Sequence, residues 1–186
     1  MGGVKEAYRQ LLAALCDPRA YPHPAPTVEH LETHISHVFL AGDQAYKIKK
    51  PVDLGFLDFT TLEKRRAACE EEVRLNARLA PAIYLGVSPV CAANGGHRLR
   101  EDVCRAGETA VEYAVRMVRL PQDGMLDRLA AQGGLAREHV HDIARQLARF
   151  HAGAERGPAI DRYGGRERIA VPIRQNFDQT RRYIGL

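Results

Sequence analysis

A short lysine-rich run is the part of this sequence whose residue types and spacing most clearly suit a chemical role. Three of the chain's five lysines lie within residues 47–50, whereas the rest of the chain strongly prefers arginine. A lysine ammonium is a compact point charge on a flexible stem, which suits contact with a phosphate group. Ala45 and Lys47 are two residues apart, so a strand places both on one face. A small residue beside a lysine leaves room for a flat ring next to a phosphate anchor, and we therefore predict a nucleotide site.

A β-hairpin is predicted to hold this run. Residues 37–41 form an apolar strand, Gly42-Asp43 supplies the turn, and residues 44–48 run back. Residues 28–35 alternate between apolar and polar side chains and are predicted as a preceding strand. The lysines therefore begin on the second arm of a hairpin that belongs to a larger sheet.

A long helix is predicted to follow the hairpin. Thr60 and Glu63 have the spacing of a capping box, which predicts a helix start there and a helix that runs to about Ala80. The other predicted elements are strands at residues 83–90 and 109–118, a turn at Asn94-Gly95, and helices at residues 4–15, 125–131 and 136–155. The sequence thus predicts an α+β chain, with the strands and one long helix first and helices last.

Composition narrows the class of protein. The chain has 186 residues, of which 45% are hydrophobic and 27% charged, as in an ordinary water-soluble protein of one domain or two small lobes. Its net charge is +4, but both signs are mixed along most helices, which argues against nucleic acid as a partner. No stretch approaches the roughly 20 apolar residues of a membrane span.

The cysteines favour a reducing compartment. Cys16, Cys69, Cys91 and Cys104 contain no C-x-x-C pair and match no zinc-site spacing. We therefore expect four reduced thiols. Because the first residues also lack the apolar region of a signal peptide, we expect a cytoplasmic protein.

Several short motifs, taken together and in order, resemble a known family. They are Thr33-His34-Ile35-Ser36, Tyr46-Lys47-Ile48-Lys49-Lys50-Pro51, Phe56-Leu57-Asp58-Phe59, the helix text of residues 69–76, Tyr84-Leu85-Gly86-Val87 and Glu112-Tyr113-Ala114-Val115. The chain is similar in these motifs to the aminoglycoside phosphotransferase-like kinases of bacteria, which have the protein-kinase-like fold. The resemblance covers roughly residues 28–178, and its motifs are specific only as a combination.

The resemblance implies a domain organisation. Residues 1–26 would be an N-terminal helix and proline-rich linker. Residues 27–118 would form a kinase-like N-lobe, an antiparallel sheet with one long helix. Residues 119–186 would contain the first helices of a helical C-lobe that is incomplete in this chain.

The resemblance also implies an ATP site that would include Lys47, Glu72, Ser36, Ala45, Val38 and Met117. Lys47 would contact the α- and β-phosphates, and Glu72 would ion-pair with it. Ser36 would offer its hydroxyl in a loop over the phosphates. Val38 and Ala45 would line the adenine slot, and the backbone from Met117 to Leu120 would hydrogen-bond to the adenine.

The catalytic loop of that family is not found in these 186 residues. Its His-Gly-Asp-x-His pattern supplies the catalytic aspartate, and a later asparagine and aspartate hold magnesium. We therefore expect no catalytic and no metal-binding residue in the chain, and we expect both sets beyond Leu186. The implied activity is ATP-dependent transfer of the γ-phosphate to an alcohol group of an unknown small molecule. Some members of this branch carry a P-loop ATPase domain after the kinase domain.

Two other functions are compatible with the sequence. The chain could be a catalytically silent module that binds a nucleotide or a partner. It could also bind a metal through the histidine-rich group His30, Glu32, His34 and His37, although strand spacing is wide for one ion.

Some residues near the motifs are expected to be structural or exposed. Lys49 and Lys50 are expected to be surface residues or weak electrostatic helpers. Glu70 and Glu71 compete with Glu72 for the pairing role, but a run of three glutamates is typical of a solvated helix face. Asp58-Phe59-Thr60 resembles a D-F-G motif, and residues 139–142 resemble a catalytic loop. Both lie in the wrong place for those roles.

Overall fold

The protein is described by a computed structural model that covers residues 2–93 and 96–185. The chain divides into two compact units, the first ending at Gly134 and the second beginning at Leu135. The turn predicted at Asn94-Gly95 lies outside the described residues.

A six-stranded antiparallel sheet forms the centre of the described part of the first unit. The strands are β1 (Val28–Glu32), β2 (Ser36–Ala41), β3 (Gln44–Lys49), β4 (Tyr84–Ala93), β5 (Gly96–Leu99) and β6 (Thr109–Val118), in the order β1-β2-β3-β6-β4-β5. The predicted α+β class is confirmed, and the predicted bounds of β6 match the structure. The strand β5 was not predicted.

Helices flank the sheet and make up the second unit. They are α1 (Gly2–Leu15), α2 (Leu62–Asn76), α3 (Leu126–Ala131), α4 (Arg137–Ala152), α5 (Pro158–Asp161) and α6 (Arg166–Thr180). The sequence predicted α1 to α4 but not α5 or α6. In the part of the chain that the structure describes, no helix combines the length and apolar character needed to cross a membrane.

The two faces of the sheet differ in chemistry because successive strand residues point to opposite sides. On what we call the core face, Phe39, Tyr46 and Ile48 are fully buried and form one cluster with Leu11 and Leu15 of α1. The opposite face, which we call the lysine face, contains Val38, Ala45, Lys47, Lys49 and Met117 by the register of β2, β3 and β6. The apolar core therefore lies on one side of the sheet, and the candidate site lies on the other.

The helix α2 begins one residue later than predicted and ends four residues earlier. Its N-cap is Thr61, whose hydroxyl accepts a hydrogen bond from the Lys64 amide at 3.3 Å. Thr60 instead donates its amide to Asp58 Oδ1 at 2.9 Å, in a turn that precedes the helix. The predicted Thr60 cap is therefore wrong, since Asp58 already holds that residue. At the other end the helix stops at Asn76 rather than near residue 80.

A disulfide joins Cys91 to Cys104, which corrects the expectation of four free thiols. The two Cα atoms lie 5.7 Å apart although the residues are 13 positions apart in sequence. The antiparallel pairing of β4 and β5 brings the two segments together, a contact that cysteine spacing does not encode. Cys16 and Cys69 are free, the first exposed and the second buried.

The second unit is helical and buries little side-chain surface among its described residues. The apolar stripe of α4 contains Val140, Ile143 and Leu147, each between 41% and 53% exposed. Within residues 135–185, no side chain falls in the buried class. The helix α4 therefore presents an apolar surface that the described residues of its own unit do not cover.

Candidate functional site

A three-residue cluster of opposite charges occupies the lysine face of the sheet. Lys47 Nζ donates a hydrogen bond to Glu72 Oε1 at 3.0 Å, and Lys49 Nζ donates to the other oxygen of the same carboxylate. The ion pair implied for Lys47 and Glu72 is therefore present. The pairing of the second lysine, Lys49, with Glu72 was not predicted.

The cluster follows from the periods of two elements. Lys47 and Lys49 are two positions apart on β3, so both side chains point to the lysine face. Arg65, Cys69 and Glu72 recur at intervals of four and three along α2, which places them on one side of the helix. Each of these three side chains contacts the sheet.

Burial distinguishes the two lysines. The side chain of Lys47 is 29% exposed, whereas that of Lys49 is 6% exposed and that of Glu72 is 13% exposed. Lys47 is thus the member of the cluster that a dissolved ligand can reach. Lys49 is more deeply buried, and its ammonium lies 5.6 Å from the centre of the Phe59 ring, a cation–π contact.

The electrostatics of the cluster favour an ionised carboxylate. Burial raises the pKa of Glu72, but the hydrogen bonds and charges of Lys49 and Lys47 outweigh burial and leave that pKa below its ordinary value. Two ammonium groups then share one carboxylate, so the cluster has an excess of one positive charge. Such an excess beside a partly exposed lysine attracts an anion.

The surface expectation for Lys49 is wrong, and that for Lys50 holds only in part. Lys50 directly follows the last residue of β3 and pairs with the exposed Glu32 rather than with Glu72. Lys49 falls on the same side as Lys47 and is buried under α2. The even spacing of Ala45, Lys47 and Lys49 was the signal that could have revealed this.

Val38 and Ala45, predicted to line the adenine slot, lie near Met117 of the predicted hinge on the lysine face. Val38 pairs with Lys47 across β2 and β3, and Ala45 pairs with Met117 across β3 and β6. Ala45 is buried, whereas Val38 and Met117 are partly exposed. The register therefore places an apolar, partly open patch beside the Lys47 ammonium.

Ser36 is brought near the cluster but is enclosed. It pairs with Lys49 across β2 and β3 and is fully buried, and its Oγ has no hydrogen-bond partner within the described residues. The Ser36 amide donates to Thr33 Oγ1 at 3.0 Å, which closes the turn between β1 and β2. A phosphate contact by Ser36 is therefore not preformed, although its hydroxyl remains unused.

The predicted hinge has two of its backbone donors engaged by the protein. The amide of Val118 donates to Ile83 O at 2.9 Å, and that of Arg119 donates to Asp43 O at 2.8 Å. An adenine at this edge would have to use other backbone groups of residues 117–120.

A buried ion pair beside the cluster was missed by sequence reasoning. Arg65 Nε donates to both carboxylate oxygens of Glu112, at 2.9 and 2.8 Å, and Arg65 Nη1 donates to Phe59 O at 3.0 Å. Burial raises the pKa of Glu112, and the Arg65 guanidinium only partly offsets that effect. Between the two pairs, the buried Cys69 thiol donates to Tyr113 O at 3.7 Å, and burial raises its pKa to about 12. The Arg65, Cys69 and Glu72 spacing was the available signal for the docked face of α2.

Other acidic and motif-like residues have structural roles or exposed positions, as expected. Glu70 pairs with Arg66 and Glu71 with Arg74 on the exposed side of α2. Asp58, which precedes α2, ion-pairs with Lys64 in the first turn of that helix. His139 accepts the Ala136 amide at 3.1 Å at the start of α4.

The candidate metal ligands do not converge as the metal hypothesis requires. His30 Nε2 and His37 Nδ1 share a hydrogen bond at 3.0 Å, and burial lowers the pKa of His37. Among the described residues, the one group of three potential ligands is Cys91, Cys104 and Glu108, whose two cysteines form the disulfide. Since Glu72 is bound to two lysines, the lysine face does not fit a magnesium ion.

The relatives of this chain are longer proteins. It is 36% identical over 165 residues to an uncharacterized protein of Mycobacterium bovis and to uncharacterized proteins of two Mycobacterium tuberculosis strains. Each match covers 87% of this chain and 30% of the relative, so the chain spans about 30% of the length of the curated relatives it matches. No family model and no solved structure matches the chain.

Proposed function

We propose that this chain is the nucleotide-binding part of an ATP-dependent phosphotransferase. The observation that supports this proposal is the Lys47–Glu72–Lys49 cluster, which has an excess positive charge and one lysine open to solvent. Phosphate is an anion that such a lysine can bind. On this proposal, the sheet and the helix α2 packed on its lysine face form a kinase-like N-lobe.

Each part of the lysine face has a task in this proposal. Lys47 binds the α- and β-phosphates, and Glu72 keeps its ammonium aimed at them. The patch of Val38, Ala45 and Met117 receives the flat adenine ring. Ser36 offers its unused hydroxyl once the β1–β2 turn opens.

The chemistry of transfer would use residues that this chain does not contain. We propose that the catalytic aspartate and the magnesium ligands belong to a longer protein, as do the site for a small-molecule acceptor and any further ATPase domain. Matches to relatives of greater length are consistent with that arrangement. We therefore expect the chain alone to bind ATP weakly and not to turn it over.

Calorimetric titration of the chain with ATP tests this proposal. We expect Lys47→Ala to weaken ATP binding by about tenfold or more, since a charge-assisted contact is lost. Lys50→Ala is the matched control, because Lys50 is a neighbouring lysine that is ion-paired with Glu32 rather than with Glu72. Equal affinity of the parent and the Lys47→Ala variant would remove the proposed role of this lysine.

A second function remains compatible with the same site. The 186 residues contain no His-Gly-Asp-x-His pattern, so the chain could be a module that binds nucleotide or a partner without chemistry. Phosphate release by the longer protein would contradict this alternative, whereas ATP binding without release would support it.

A further inference from the structure

The second lysine of the cluster has a role of its own. We infer that Lys49 is a positioning residue that holds the Glu72 carboxylate on the sheet, so that Lys47 can be shared with a phosphate. This inference rests on the proposed nucleotide site and concerns a residue that would not itself touch the nucleotide.

The two oxygens of Glu72 bind different lysines. Oε1 accepts from Lys47 and Oε2 accepts from Lys49. If Lys47 were the sole partner, its movement toward a phosphate would leave a largely buried carboxylate uncompensated, which is costly. With Lys49 on the other oxygen, Glu72 keeps a cation when Lys47 turns toward a ligand.

The surroundings of Lys49 suit a fixed holder rather than a ligand contact. Its side chain is almost fully enclosed, and its ammonium lies over the Phe59 ring. Phe59 is itself anchored, because its amide donates to Val52 O at 2.8 Å. Lys49 is therefore held by α2 on one side and by the loop after β3 on the other.

The remaining titratable groups near the carboxylate are few and also held. They are the buried Cys69 thiol on α2 and, beyond it, the Arg65–Glu112 pair that joins α2 to β6. Cys69 stays neutral because burial raises its pKa to about 12. A change in the titration of Glu72 can therefore be assigned to its two lysines.

The test compares Lys49→Met, Lys49→Arg and the control Lys50→Met in the full chain. The first readout is the carboxyl carbon resonance of Glu72 against pH without ligand, and the second is the affinity for ATP at neutral pH. We expect Lys49→Met to move the Glu72 titration to higher pH and to weaken ATP binding by about tenfold. Lys49→Arg should restore both, and Lys50→Met should change neither.

The outcomes separate this inference from the proposed function. If Lys49→Met leaves both the Glu72 titration and ATP affinity at parent values, Lys49 is not a positioning residue. If Lys49→Met does not fold, Lys49→Arg decides, because lower ATP affinity with an unchanged Glu72 titration would overturn the inference. If the parent chain does not bind ATP, the proposed function fails, while the Glu72 titration still reports whether Lys49 holds the carboxylate.

Discussion

The two units of this protein treat similar apolar patterns in different ways. In the first unit, α1 and the core face of the sheet enclose Leu15, Phe39 and Ile48 completely. In the second unit, α4 has an equally regular apolar stripe that stays between 41% and 53% exposed at Val140, Ile143 and Leu147. A periodic pattern predicts a helix, but a core also needs a second apolar surface to cover it. The first unit should therefore account for most of the cooperative stability of the chain.

The largest expected effect tests this difference with two phenylalanines. Phe39 is fully buried on β2, whereas Phe177 on α6 is 71% exposed. We expect Phe39→Ala to lower the free energy of unfolding by about 3–5 kcal/mol, because it leaves a cavity. Phe177→Ala should change it by less than about 0.5 kcal/mol. Urea unfolding followed by circular dichroism measures both, and equal losses would contradict the assignment of most of the stability to the first unit.

A second pair of variants compares buried and exposed ion pairs. Arg65 binds the buried Glu112 in the first unit, and Arg174 binds the exposed Glu167 in the second. We expect Arg65→Met to cost about 3 kcal/mol, because it leaves a buried carboxylate without its cation. Arg174→Met should cost less than about 1 kcal/mol.

The loss of unfolding free energy in Arg65→Met should depend on pH. Burial already raises the folded-state pKa of Glu112, and the variant removes the guanidinium that opposes this effect. A raised folded-state pKa gives stability at low pH that is lost as pH rises through it. Urea unfolding should therefore show a larger cost at neutral pH than at about pH 4, and a pH-independent cost would argue against a buried carboxylate.

Reduction of the disulfide should have a smaller effect that is confined to the first unit. The bond between Cys91 and Cys104 closes a short loop around β5. We expect its reduction to cost about 2–3 kcal/mol. Amide hydrogen exchange should accelerate in β4 and β5 but not in α4. A Cys91→Ser, Cys104→Ser double variant serves as the control, since its exchange should not respond to reductant.

The smallest expected effect concerns Glu72. Its folded-state pKa is lowered, so its contribution to stability is present above the unfolded pKa and is lost as pH falls through the folded value. We expect Glu72→Gln to cost on the order of 1–2 kcal/mol at neutral pH, and less below about pH 4. Glu71→Gln on the exposed side of α2 is the matched control. Urea unfolding against pH measures both, and a cost that grows toward acid pH would contradict the assigned direction.

The sequence predicted the sheet better than the contacts between its elements. The strands β2, β3 and β6 were predictable because alternation and turn residues are local signals. The short strand β5 was missed, since four residues give little periodicity. The helix α6 was missed as well, and Pro172 inside it is a signal against a helix.

The candidate site was predictable only in part for a related reason. The pairing of Lys47 with Glu72 was implied by a resemblance, whereas the role of Lys49 depends on which side of β3 the helix α2 covers. The Arg65–Glu112 pair likewise joins elements that are distant in sequence. Such contacts depend on how the elements pack together, which the local patterns of a single sequence do not reveal.

The strand order has a consequence for how the chain is made. The strand β3, which provides Lys47 and Lys49, lies between β2 and β6, and β6 begins only at Thr109. During synthesis, the edge of β3 that pairs with β6 therefore has no partner strand until most of the first unit has been synthesised. The helix that provides Glu72 also lacks its β6 docking surface until then. We therefore expect the charged cluster to assemble only after β6 has been synthesised, although its own residues precede that strand in the chain.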